Sequence, residues 1–150
     1  MEQKDFIDGC IKVENSVASI YSNLLKTFPD KKEFWESLLH DEREHVAFLS
    51  DVKSLALIQE MEKLDFPPSM KVIKQTLKLT DKVREKLSSN LISLKDSLKM
   101  AIKLEESMVE IYTNHLIAKL LSCDDDTSVL RIVSQEKTHI NKIRKMIKQV

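Results

Sequence analysis

Glu42 and His45 stand where apolar residues belong. Reading the run LLHDEREHVAFL (38–49) every three or four residues gives Trp35, Leu38, Glu42, His45, Leu49, Val52 and Ala56. Such spacing puts residues on one face of an α-helix. A carboxylate and an imidazole in mid-stripe supply oxygen and nitrogen donors to whatever that face packs against. The same pair recurs at Glu136 and His139, inside Val129, Ile132, Glu136, His139, Ile143, Met146 and Val150. Single glutamates interrupt two further stripes. One reads Ile7, Ile11, Glu14, Ala18, Tyr21, Leu25; the other reads Leu94, Leu98, Ala101, Glu105, Met108, Tyr112, Leu116.

These interruptions repeat. VENSVASIYSNLL (13–25) aligns without gaps on LEESMVEIYTNHL (104–116), and HDEREHV (40–46) aligns on SQEKTHI (134–140). The chain therefore reads as two helix hairpins of one design, in the order E…ExxH…E…ExxH. Packing the four stripes together gathers four carboxylates and two imidazoles in one layer, with no Lys or Arg in the stripes to compensate. Buried carboxylates in that number repel and lose hydration. Two divalent cations would cancel the charge, and the donor set matches the pattern of di-iron and di-manganese bundles. Glu14, Glu42, His45, Glu105, Glu136 and His139 are the expected metal ligands. A bundle without metal would have to bear that charge unaided.

The elements that position them follow from the same periodicities. The first helix is expected over about Asp5–Thr27, ending before Phe28-Pro29. The second starts at Asp30, which with Glu33 makes a D-x-x-E variant of the capping box, and runs to about Glu62. Phe66-Pro67-Pro68 stops it, because proline lacks the donor and restricts its predecessor. Residues 67–92 carry Met70, Ile73, Leu77, Val83 and Leu87 and read as a lysine-rich crossover helix. The third helix of the bundle starts near Ser93, with Asp96 three residues on. The acidic loop Asp124-Asp125-Asp126 leads into the fourth. Glu14 lies about 13 residues before the end of its helix and Glu42 about 11 after the next begins, nearly equal heights at ~1.5 Å per residue. The expected fold is all-α: an antiparallel four-helix bundle of two pseudo-symmetric hairpins joined by a helical crossover, forming one domain over 1–150.

Bulk properties narrow the function. One Gly and three Pro in 150 residues leave few turn residues for a meander of strands. Equal numbers of basic and acidic residues, 24 of each, argue against nucleic acid as main partner. Residues 1–66 carry 8 basic against 14 acidic and the remainder 16 against 10. We read this as two differently charged solvated faces; a self-complementary oligomer contact is the alternative, and a homodimer is the expected assembly. No apolar run approaches the ~18 residues of a membrane span, and no apolar region follows Met1, so a cytoplasmic chain is expected. Cys10 and Cys123 are too few for a four-thiolate site; Cys10 reads as a small core residue.

With these motifs the chain resembles the rubrerythrin-like branch of the ferritin-like di-iron carboxylate proteins, over all four helices. The resemblance implies that Glu42 and Glu136 bridge two metals, that Glu14 and Glu105 are terminal ligands, and that His45 binds one metal and His139 the other. It implies two iron ions, with manganese or zinc as alternatives, and a role in oxidative stress. The activity would be reduction of hydrogen peroxide or dioxygen with electrons from an external donor such as rubredoxin. Ferroxidase or iron handling, and a metal-stabilised structural bundle, are the other readings. Asp41 and Gln135, each four residues before a ligand histidine, are expected to support the imidazoles. Tyr21 and Tyr112, seven residues after Glu14 and Glu105, would donate hydrogen bonds to the site or relay electrons, or else be core aromatics with satisfied hydroxyls. Met108 stands where rubrerythrins carry a further glutamate, so their change of ligand on oxidation is not expected here. His40, His115, Glu44, Glu106 and Glu110 are expected on the surface.

Overall fold

A computed structural model of the chain describes residues 3–54, 69–89, 92–107, 109–111, 113 and 140–150. All regular structure among them is helical: α1 (Gln3–Thr27), α2 (Lys32–Ser54), α3 (Met70–Ser88), α4 (Leu94–Glu105) and a C-terminal helix α5 (140–149). The expected end of the second helix near Glu62, the acidic loop and most of the fourth helix lie outside the described residues.

α1 is the centre of the core. Phe6, Ile7, Cys10, Val13, Val17, Ile20, Tyr21 and Leu24 are all buried. The buried face is broader than the expected stripe and turned from it: Ile11, Ala18 and Leu25 are only partly covered. The physical reason is that α1 packs against both α2 and α3, so two of its flanks are covered. Its single glycine records the closeness of the second contact. A Cβ built on Gly9 would lie 2.9 Å from Cγ2 of Ile73 on α3.

The turn after α1 differs from expectation. A short 3-10 turn, Pro29–Lys31, leads straight into α2, and no side chain caps it. Asp30 therefore does not act as the N-cap of a D-x-x-E box. Proline at the first position presets the turn, and Phe28 N–H closes on Leu24 O at 2.9 Å. α2 then runs back antiparallel to α1. Phe34, Trp35, Leu38, Leu39 and Leu49 go into the core, and Lys53 is hydrogen-bonded to Asp8 near the far end of the pair.

Serines cap the next two helices, and the one at Ser93 is the expected start. Ser69 Oγ accepts from Val72 N–H at 3.2 Å to open α3, inside the expected crossover segment. Ser93 Oγ accepts from Asp96 N–H at 3.1 Å to open α4. Each supplies an acceptor to one orphan donor of the first turn. α3 buries Ile73, Thr76, Thr80, Val83 and Leu87. Both threonine hydroxyls bond back to their own helix, to Val72 O and Leu77 O, and so can be buried without a partner elsewhere.

α4 stops at Glu105. Glu106 N–H still bonds to Ile102 O at 2.9 Å, but Ser107 N–H bonds to Leu104 O at 3.1 Å, a three-residue closure. Ser107 Oγ then accepts from Glu110 N–H at 3.3 Å, and helical geometry resumes at 109–111 and 113. Ala101 and Glu105 are followed inward by Val109, Glu110 and Thr113.

Candidate metal centre

The mid-heights of α1, α2 and the segment after α4 meet in one polar pocket of the core. Glu14, Glu42, His45 and Glu110 each present a ligand atom, and these atoms all lie within 4.8 Å of one another. His45 Nδ1 is 3.7 Å from Glu14 Oε2, 3.9 Å from Glu42 Oε2 and 3.8 Å from Glu110 Oε2. These separations exceed hydrogen-bond length. They suit donors grouped about a shared centre better than donors bonded to each other. Glu14 and Glu110 are wholly enclosed and Glu42 is 1% exposed.

Local structure explains the placement. Glu42 and His45 are three apart on α2, one above the other on its inner face. Glu14 lies on the α1 face turned toward α2. Glu110 arrives through the break at Glu106 and Ser107: on an unbroken helix it would stand about 140° away from Glu105. Instead both are buried. The expectation of a solvated Glu110 is thus corrected; Glu44 and His40, which pair at 3.0 Å, are exposed as expected.

Glu105 occupies a neighbouring position. It is buried, and its Oε1 accepts a 2.6 Å hydrogen bond from the Tyr21 hydroxyl. Tyr21 in turn lies against Trp35, with ring centroids 6.0 Å apart. Asp41 is half-buried one turn before His45 and contributes to the field that favours the imidazolium. Glu136, His139, Gln135 and Tyr112 lie outside the described residues.

The electrostatics are those of a site short of positive charge. Burial, then the charges of Glu110 and Glu14, push the Glu42 carboxyl well above its ordinary value. Burial, then Glu14 and Glu105, do the same to Glu110. At Glu14 burial also acts upward, but the proton-bearing Glu42 and His45 beside it prevail and hold it at about 2. Burial opposes the charge on His45, yet Glu14 and Glu105 outweigh it and raise its pKa. Cys10, one turn before Glu14, is pushed up to about 12 by burial and by the charges of Glu14 and Glu110, so it stays a neutral thiol.

A cation fits this pocket. Both Glu14 carboxylate oxygens, Glu42 Oε2 and His45 Nδ1 are buried with no hydrogen-bond partner, a costly state that native interiors avoid unless something else satisfies the atoms. Three carboxylates and an imidazole are a donor set for a divalent first-row metal. Glu110 could have been found from the sequence: Ser107 and Glu110 form S-x-x-E, a helix-start signature, within what otherwise reads as continuous helix. No protein-family model, curated protein or solved structure matches the chain.

Proposed function

We propose that the chain is a ferritin-like, rubrerythrin-like metal bundle that reduces hydrogen peroxide, or dioxygen, using electrons from an external carrier. The observation that carries this reading is the buried set Glu14, Glu42, His45 and Glu110, in which both Glu14 oxygens, Glu42 Oε2 and His45 Nδ1 have no hydrogen-bond partner. Glu105 beside it, and the second E-x-x-H at Glu136 and His139, are the residues proposed to hold a second ion. Iron bound there would supply reversible one-electron steps at coordination positions left open by the protein.

The chain's own residues do the rest. Glu14, Glu42 and Glu110 give oxygen donors and His45 a nitrogen. Val13, Val17, Leu38 and Val109, each within four residues of one of these carboxylates along the chain, are buried and apolar, so the charged layer lies inside the hydrophobic core. Tyr21 fixes the orientation of Glu105 through its 2.6 Å hydrogen bond. When no cation is present, Glu42, Glu110 and His45 are the groups that hold protons, and they would surrender them on loading. Reduction of peroxide consumes two electrons and two protons and yields two waters, so the site needs a reductant and a proton supply together.

Metal analysis after anaerobic loading with iron(II), followed by stopped-flow oxidation, tests the reading. Two irons per chain, oxidised faster by hydrogen peroxide than by dioxygen and reducible again, are expected. Iron(III) leaving the protein after oxidation would instead indicate iron handling. Folded protein that takes up no iron would remove the reading altogether.

A further inference from the structure

α3 and α4 turn lysines outward at regular spacing. Lys74, Lys78, Lys82 and Lys86 follow each other at intervals of four along α3, and Lys95, Lys99 and Lys103 do so along α4. All seven are exposed. On α3 they lie opposite Ile73, Thr80, Val83 and Leu87, and on α4 opposite Leu98, Ala101 and Leu104. Each helix is thus apolar toward the core and cationic outward. Asp81 and Glu85 on α3 and Asp96 on α4 are exposed too, so the seven lysines outnumber three acids, and Asp81 faces Arg84 at 4.0 Å.

The two ladders meet at a groove of about 490 Å³ between the end of α3 and α4. Lys86, Lys99 and Lys103 line it with Asp96 and Ser89, a net positive set, and Ile92 and Met100, both partly buried, add apolar lining. An apolar patch with a polar, solvent-accessible rim is the anatomy of a protein-docking surface, and a rim of one charge sign steers the encounter with a partner of the other. The lysines are point charges on flexible stems rather than Arg forks, and no aromatic side chain lies among the lining residues to stack on a base.

α4 joins this face to the buried site. Lys103 stands two residues from Glu105, on the outer side of the helix whose inner side carries that carboxylate. A partner seated on the ladder would be separated from Glu105 by about one helix diameter, roughly 10–12 Å.

We propose that the lysine ladders of α3 and α4 are the docking face for a small acidic protein that carries single electrons to the carboxylate–histidine site. The proposal rests on the redox reading above. Each encounter delivers one electron from the reduced carrier, which leaves oxidised. Two encounters therefore supply the electrons that, with two protons from solvent, take one hydrogen peroxide to two waters. A second copy of the chain is the less suitable occupant. Basic face on basic face is repulsive, and basic face on the acidic N-terminal half is a head-to-tail contact, which propagates unless it closes into a ring.

Calorimetric titration of the full metal-free chain with zinc-substituted rubredoxin, a redox-silent acidic carrier, tests docking without any turnover. We expect binding that weakens as salt is raised. The triple variant Lys86→Glu, Lys99→Glu, Lys103→Glu should weaken it about tenfold or more, since rim charges act mainly through encounter and salt dependence. Lys12→Glu with Lys26→Glu, on α1, should leave it unchanged. If the reversed triple variant does not fold by circular dichroism, the neutral Lys→Gln triple serves in its place and should lose part of the affinity. No binding to wild type, or binding indifferent to the triple substitution, overturns the proposal. So does lysine-dependent binding of duplex DNA, of phosphatidylserine vesicles or of a second copy in place of rubredoxin. Failure of iron loading with lysine-dependent rubredoxin binding intact would sink the redox reading and leave the docking face standing. Iron-dependent peroxide reduction with a chemical reductant, unaccompanied by such binding, would do the reverse.

Discussion

The Tyr21 hydroxyl donates to Glu105 Oε1 at 2.6 Å, across 84 residues of sequence. This bond ties α1 to α4 at the height where α4 stops, and it sets the order of the polar layer. Glu105 lies level with Tyr21, while Glu110 lies level with Glu14, seven residues earlier on α1. The two chain segments therefore run antiparallel through the site. Burial, then the adjacent Glu105 charge, push the Tyr21 phenol well above its ordinary value.

Tyr21→Phe removes that donor while keeping the ring against Trp35. A hydrogen bond to a charged acceptor contributes about 1.5–3 kcal/mol, and urea unfolding of the metal-free chain should show a loss of that order. A loss below about 0.5 kcal/mol would mean that the bond does not order the layer.

The stability of metal-free protein should fall as pH rises, the reverse of ordinary acid denaturation. Glu42, Glu110 and His45 all bind protons more tightly folded than unfolded. Their contribution is complete below the unfolded values, 4.5 for the carboxyls and 6.5 for His45, and is lost as pH climbs through the raised folded values. Glu14, lowered to about 2, acts oppositely and matters only in strong acid, from 4.5 downward. Melting temperature should therefore decline from about pH 5 to pH 8 without metal. Saturating divalent metal should flatten or invert the slope, because binding draws the protons off. A metal-free profile that rises toward neutral pH would show that these carboxylates are not enclosed together.

Gly9→Ala sets helix propensity against packing. In an open helix interior the change gains up to about 1 kcal/mol. Here the new methyl would sit 2.9 Å from Cγ2 of Ile73, a fully buried β-branched side chain with little freedom to move. Overpacking of this kind costs about 1–3 kcal/mol, so net destabilisation is expected. If thermal unfolding instead shows stabilisation, α1 and α3 are not in contact at this point.

Much of this arrangement was legible in residue order. The 3.6-residue period locates α1, α2, α3 and α4, and Ser93 with Asp96 marks a helix start that the structure keeps. Periodicity also singles out Glu14, Glu42 and His45, because a charged residue inside an apolar stripe contradicts the burial its neighbours demand. What periodicity cannot carry is a change of register. The gap-free match of 13–25 to 104–116 implies an unbroken helix, and on that assumption Glu110 points away from Glu105 and into solvent. One local choice, the Ser107 hydroxyl taking Glu110 N–H, restarts the helix and turns Glu110 inward. The two capping signatures show the limit of such patterns. S-x-x-E at Ser107 supplies a side-chain cap, whereas D-x-x-E at Asp30 does not, because Pro29 already sets a 3-10 turn there.

Glu110 offers the sharpest test of that register. If the helix restarts at Ser107, Glu110 is a ligand and Glu106, paired with Arg144 at 2.7 Å on the surface, is not. Glu110→Gln should then weaken divalent-metal binding about as much as Glu14→Gln, while Glu106→Gln should leave affinity unchanged. The same Glu110→Gln should raise the stability of the metal-free chain at neutral pH, since it removes a carboxyl that burial and its neighbours already disfavour as an anion. Calorimetric metal titration and thermal melting of the two variants read both effects. If Glu110→Gln binds metal like wild type and is no more stable without it, the segment after α4 continues as one helix. The fourth ligand must then come from another part of the chain.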